Sequence, residues 1–181
     1  GRFDAMRRLR LVVSRASGNR VCSLKLFQRH LAAMVRQGCD PWAFLPDPQF
    51  IYLVRHDLIG QSISLVRARQ TRQYSGSHKA VSEPRYSARF IKWAMRHIGR
   101  ENARWERYFA SNGIVPLRLV YEDLVADHVA ALDRIADLAG VSLSAVPQAL
   151  EESGLLRQQD SLSAQWRGRF IREEGDPCRI W

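Results

Sequence analysis

Two kinds of apolar pattern take turns along the chain. Short, nearly unbroken apolar runs occur at "VCSLKLF" (Val21–Phe27), "FIYLV" (Phe50–Val54) and "IVPLRLVY" (Ile114–Tyr121), and they read as strands. Phe50–Val54 is apolar at every position, as a strand buried on both faces tends to be. Between the runs, apolar residues recur at steps of three and four, the helical period. This predicts helices over Phe3–Val13, over Gln28–Gln37, from Asp57 to about Gln73, from Tyr86 to about Ser111, and over "HVAALDRIADLAG" behind Asp127. A short helix is expected after Pro147, up to Ser153, and a loop and terminal helix over "QDSLSAQWRGRFIREE". Asp57 and Asp127 suit N-caps, while Asn112-Gly113 and Gly140 suit helix ends. "CDPWAFLPDPQ" (Cys39–Gln49) and "YSGSHKAVSEP" (Tyr74–Pro84) read as loops.

Strands alternating with helices argue an α/β fold with a largely parallel sheet. Three strand patterns are few for this many helices. In such a sheet, ligands sit at the C-terminal ends of strands. Arg55 stands at one such end, and Asp57 opens the next helix. Gly60 and Ser64 are four apart on that helix and share a face with little side-chain bulk. A phosphate on that face would take charge-assisted bonds from Arg55 and one from the Ser64 hydroxyl. The alternative is that Arg55 pairs with a nearby carboxylate while Gly60 and Ser64 only permit close packing. A second feature is the aromatic stripe of the long helix. Tyr86, Phe90, Trp93, His97, Trp105 and Tyr108 fall on one face, which suits either a core or the border of a ligand pocket.

At 181 residues the chain suits one domain, residues 1–181. No apolar stretch approaches the ~20 residues that span a bilayer, so a membrane partner is not expected. The three cysteines (Cys22, Cys39 and Cys178) are too scattered for a disulfide framework or a zinc site. A cytoplasmic location is the default, and no metal is expected. The net charge is +10, and the excess is arginine, with only three lysines: Lys25, Lys79 and Lys92. Arginine's planar fork suits phosphate and sulfate, though a GC-rich genome would also supply arginine freely. The arginines are scattered, without a helix-turn-helix, RRM or zinc pattern, so nucleic acid is not the expected partner.

Four segments in order carry a resemblance: "IYLVRHDLIGQSISLVRARQT", "YSARFIKWAMRHIGRENARWERYF", "IVPLRLVYEDLVAD" and "LLRQQDSLSAQWRGRF". Together they resemble the bacterial trehalose 2-sulfotransferase family, from about Asn19 to Ile171. The resemblance implies a P-loop-kinase-like α/β fold, a parallel sheet with flanking helices. It implies transfer of a sulfonyl group from 3′-phosphoadenosine-5′-phosphosulfate (PAPS) to a hydroxyl of a carbohydrate such as trehalose, without a metal. It places the 3′-phosphate on Arg55 and Ser64, with His56 as a lesser candidate because the usual interval is eight residues and Arg55–Ser64 is nine. "SLKLF" resembles the strand that carries a catalytic lysine, here Lys25, whose charge would steady the leaving oxygen; the alternative is a snorkelling surface lysine. Tyr121 of "YEDL" takes the adenine-contact role or is a core tyrosine, and Glu122 and Asp123 are expected to cap the helix they open. Arg157 and Gln158 belong to a late loop that resembles the one covering the nucleotide. Tyr86, Trp93 and His97 would border the acceptor sugar.

The family pattern begins with a strand and a Ser/Gly-rich loop that wraps the 5′-phosphosulfate with backbone N–H groups. A carboxylate further on serves as general base. Neither stands in this sequence. "SRASGNR" (Ser14–Arg20) follows a helical pattern and does not fit the loop. The expectation is a fold incomplete at its N-terminus, the C-terminal two-thirds of a longer sulfotransferase, with two of the visible strands flanking the missing one. Unpaired sheet edges favour association, a homodimer being the simplest form. The alternative function is a catalytically inactive fragment that keeps part of the 3′-phosphoadenosine site or binds a partner chain.

Overall fold

The computed structural model describes residues 23–38, 41–45, 47–74, 80–143, 161–176 and 178. The helices expected over 3–13 and after Pro147 lie outside them, as do Arg157 and Gln158. Six α-helices and two strands run through the described residues: α1 (Gln28–Arg36), β1 (Ile51–Val54), α2 (Leu58–Thr71), α3 (Ala88–Ser111), β2 (Leu117–Val120), α4 (Tyr121–Ala126), α5 (His128–Ala139) and α6 (Ser161–Glu174). A 3₁₀ turn (Pro41–Phe44) interrupts the loop before β1. The arrangement is mixed α/β, and β1 and β2 pair in parallel, Ile51 opposite Leu117 and Val54 opposite Val120.

The strand ends match the apolar runs closely, but the sheet is smaller than the pattern predicted. Residues 23–27 join no ladder, so only two of the three expected strands are strands among the described residues. β1 and β2 also bond directly to each other, so these two do not flank a missing strand. On one side of β1, Ile51 and Leu53 are 47% and 52% exposed. Tyr52, pointing the other way, is buried against the C-terminal half of α3, where it meets Phe109 edge-on at 5.4 Å. Leu119, in register with Leu53 and so on the first side, is buried as well.

Local chemistry sets the helix limits. The Asp57 carboxylate accepts from Gly60 N–H at 2.9 Å and starts α2. The Ser87 hydroxyl accepts from Phe90 N–H at 3.3 Å and starts α3. Gly113, at φ +63°, ends α3 by turning the chain left-handed, a conformation that carries no Cβ penalty in glycine. Asp127 caps α5 through Ala130 N–H at 3.0 Å. The Asp57 and Asp127 caps and the Gly113 stop agree with those expected from sequence, while the Ser87 cap starts α3 at Ala88, later than the expected Tyr86.

The main core lies where α2, α3 and α6 meet. Each supplies a pair of buried side chains: Ile63 and Val66, Ile91 and Ala94, Trp166 and Phe170. Spacings of three and four put each pair on one helix face. Burying a large apolar side chain contributes about 1.5–3 kcal/mol, so this cluster fixes α6 against the other two helices. The buried stripe of α3 (Ile91, Ala94, Ile98 and Phe109) is not the aromatic stripe the spacing singled out. Phe90 is 55% exposed. Among the described residues, no helix is long and apolar enough to cross a membrane.

Ile91 is fully buried and touches no part of the β1–α2 turn. Ile91→Ala is expected to destabilise the fold by roughly 2–5 kcal/mol, measured as a lower urea midpoint with an unchanged slope.

Candidate functional site

The strand-to-helix turn after β1 carries the densest polar chemistry in the described structure. β1 ends at Val54, and Arg55 leaves it with its side chain 15% exposed. Its Nη2 donates to Asp57 Oδ2 at 3.2 Å. Its Nε is buried without a hydrogen-bond acceptor and lies 3.7 Å from Glu122 Oε1. The guanidinium also sits 4.8 Å from the centre of the Tyr121 ring, a cation–π distance.

Asp57 does more than cap. While its Oδ1 accepts from Gly60 N–H, the same oxygen pairs with Arg167 Nη2 of α6. One carboxylate thus joins a helix N-terminus, the strand-end arginine and an arginine 110 positions further along the chain. Burial pushes the Asp57 carboxyl up, but the Arg167 bond, the Gly60 N–H and the charges of Arg167 and Arg55 together hold it below its ordinary value of 3.8. Glu122, from the first turn of α4, accepts from the backbone N–H groups of His56 at 3.1 Å and Asp57 at 3.2 Å. Burial raises its carboxyl, and those bonds with the Arg55 charge bring it below the usual range. Glu122 therefore ties the β1–α2 turn to the end of β2, where the sequence suggested only a cap for its own helix.

A cavity of about 270 Å³ opens over this turn, lined by Arg55, Asp57, Gly60, Ser64, Ser163, Ala164 and Arg167. Gly60 forms part of its wall because nothing larger fits. A Cβ there would collide with Asp57 Oδ2 and stand 2.8 Å from Arg55 Nη2. Across the cavity, Ser163 is held by Arg67 Nη1, which donates to its hydroxyl at 2.6 Å. Ser163 and Ala164 belong to the first turn of α6, so two helix starts face the same space, each with the positive end of its dipole.

Arg55 and Ser64 come together here as the spacing predicted. Arg55 also pairs with Asp57 and faces Glu122, the carboxylate pairing that the second alternative expected. The other expected site residues are elsewhere. Lys25 is exposed on the segment before α1, with Nζ 5.4 Å from the Phe27 ring. His56 contributes its backbone N–H, and its side chain is exposed. Tyr121 abuts Arg55 but does not line the cavity. Tyr86 precedes α3, donates its hydroxyl to Glu173 Oε2 at 2.7 Å and packs edge-on against Trp166. Burial, then the bond to Glu173, push its hydroxyl up to about 12. Trp93 and His97 stack face to face at 5.2 Å, with Arg69 over Trp93 at 4.7 Å. Spacing did not single out Asp57 as a bridge, nor Ser163 and Arg167 at all. Only the arginine content of the terminal helix hinted at the last.

A strand-end arginine, a small-residue helix face and a second arginine surround one open cavity in this mixed α/β fold. Comparison with known proteins supplies the family: a model described as Stf0 sulphotransferase matches residues 40–173, and the chain belongs to this family. It is 28% identical over 129 residues to the trehalose 2-sulfotransferase of Mycobacterium tuberculosis (strain ATCC 35801 / TMC 107 / Erdman), covering 70% of this chain and 47% of that protein. It is 26% identical over the same length to the trehalose 2-sulfotransferase of Mycolicibacterium smegmatis (strain ATCC 700084 / mc(2)155), with the same coverage. The chain spans about half the length of the curated relatives it matches.

Because the folded-state Asp57 carboxyl is depressed, its contribution to stability is present above the ordinary value of 3.8 and is lost as pH falls through the lower, folded-state value. Asp57→Asn keeps an oxygen for Gly60 N–H and removes the charge. The wild-type advantage over Asp57→Asn, from urea unfolding, is expected to be constant near neutral pH and to shrink below about pH 4.

Proposed function

We propose that this chain is a sulfotransferase-family protein that binds PAPS and supports sulfonyl transfer to a carbohydrate hydroxyl, trehalose being the substrate named for its relatives. The reading rests on one observation above the rest: in a chain of the Stf0 family, Arg55 and Ser64 line one cavity at the end of a parallel strand. That cavity takes the 3′-phosphate. Arg55 supplies charge-assisted donors from its guanidinium, and Ser64 supplies a hydroxyl. The fold is that of a P-loop-kinase-like domain, with residues 1–181 as a single unit. Tyr121, beside Arg55, is placed to reach an adenine lying against the end of β2, and Arg157 and Gln158 add phosphate contacts from the late loop. Lys25 steadies the oxygen that the sulfonyl group leaves. Tyr86, Trp93 and His97 border the acceptor. Of these roles, those of Arg55 and Ser64 draw most on the geometry. Lys25, Tyr86, Trp93 and His97 line no part of the cavity, and their roles rest on the family pattern.

A second reading is a nucleotide-binding protein without turnover, keeping the 3′-phosphoadenosine half of the site. It rests on the cavity lined by Arg55 and Ser64 and calls on none of Lys25, Tyr86, Trp93 and His97, which line no part of it.

Calorimetry with adenosine 3′,5′-bisphosphate tests the shared core of both readings. Wild type is expected to bind. Arg55→Ala is expected to lose about tenfold to a hundredfold in affinity, the loss typical of a charge-assisted hydrogen bond, and Ser64→Ala about three- to tenfold. Unchanged binding by Arg55→Ala would remove the reading. Transfer of labelled sulfonyl from PAPS to trehalose by the same preparation separates the enzyme from the nucleotide-binding form.

A further inference from the structure

We propose that Arg167 of α6 is the second arm of the anion clamp, and that Asp57 holds both arms in place. The inference rests on the 3′-phosphate reading of the cavity and assigns it a residue that sequence spacing did not suggest. The geometry is direct. Arg55 bonds Asp57 Oδ2, and Arg167 pairs with Asp57 Oδ1. The two guanidinium groups therefore stand on either side of one carboxylate, and both line the same cavity. Between them they carry about ten N–H donors, and a carboxylate offers about four acceptor positions. One carboxylate cannot satisfy both cations, and a phosphate set between them adds the acceptors that are missing.

Asp57 cannot leave easily, because it also caps α2 through Gly60 N–H. It is a positioning residue: it fixes the two forks at the rim while the ligand enters beside it. The Gly60 wall keeps the space open, since any Cβ there would strike Asp57 or Arg55. On the α6 side, Arg67 holds Ser163, three positions after Ser64 on one helix and four before Arg167 on the other. The buried Trp166 and Phe170 anchor α6 to the core. A 3′-phosphate thus bridges α2 and α6 across a contact that the apolar core has already set.

The test compares two nucleotides by calorimetry, adenosine 3′,5′-bisphosphate and adenosine 5′-phosphate. Wild type should prefer the bisphosphate. Arg167→Ala should lose about tenfold or more for the bisphosphate and change little for the monophosphate. Arg167→Lys keeps a point charge without the fork and should fall between. Amide hydrogen exchange on wild type offers a readout without substitution: the bisphosphate, but not the monophosphate, should slow exchange in the first two turns of α6. If wild type prefers the bisphosphate while Arg167→Ala binds both nucleotides as wild type does, or weakens both equally, the clamp is overturned and the Arg55 site stands. If wild type shows no preference for the bisphosphate, the 3′-phosphate reading falls and the clamp with it.

Discussion

The described structure turns on a single carboxylate. Asp57 starts α2 by accepting Gly60 N–H, and it pairs with Arg55 from the strand before it and Arg167 from the last described helix. A helix cap at an exposed end is worth about 1 kcal/mol. Here the same oxygens also neutralise two arginines at the floor of a cavity. Removing the charge would leave two cations facing each other with little between them, which is why the cap and the site cannot be considered apart. Glu122 plays the complementary part from the other strand. It closes the backbone N–H groups of residues 56 and 57 and faces Arg55 Nε, so the turn is fixed from both sides before any ligand arrives.

This double pinning explains why a two-stranded sheet can present a defined site. Two strands alone are marginal. β1 and β2 are held by what lies at their ends and on one face: the Glu122 bridge at the C-terminal end, and Phe109 against Tyr52 on the buried face. Their other face is uneven: Ile51 and Leu53 are half exposed, while Leu119, in register with Leu53, is buried. The helical core of α2, α3 and α6 carries the larger share of apolar burial. The cavity sits where that core meets the strand ends, so it inherits its rigidity from helices rather than from the sheet.

What the sequence disclosed follows from which signals are local. The β1 run, the Asp57 and Asp127 positions and Gly113 act within four or five residues, so their roles are written in neighbouring letters. Arg55 and Ser64 were legible for the same reason, being nine apart on one strand–turn–helix unit. Arg167 was not, because its partner Asp57 is 110 residues away and only packing of Trp166 and Phe170 brings them together. The "SLKLF" run misled as a strand because apolar content cannot say whether a ladder partner is present. The aromatic stripe of α3 misled differently. Periodicity identifies a shared face but does not choose which face is most buried: Ile91 and Ala94 lie in the core, and Tyr86 and Trp93 pack against it from beside them.

The electrostatic balance of the turn also bears on what can bind there. Arg55 and Arg167 bring two positive charges, and Asp57 and Glu122 bring two negative ones. The site is therefore close to neutral in formal charge, and overall basicity of the chain does not by itself draw an anion into it. An incoming anion gains from donors that the carboxylates leave over, and from the start of α6, whose first turn lines the cavity with Ser163 and Ala164. It pays against repulsion from Asp57 at close range. Such a site favours a ligand that spreads its charge over several oxygens and reaches both guanidinium groups at once. A planar carboxylate is a poorer match, because Asp57 already fills that role between the same two arms. Tetrahedral phosphate or sulfate oxygens would reach donors that a second carboxylate in one plane would miss, which is the physical basis of the phosphate reading proposed for this turn.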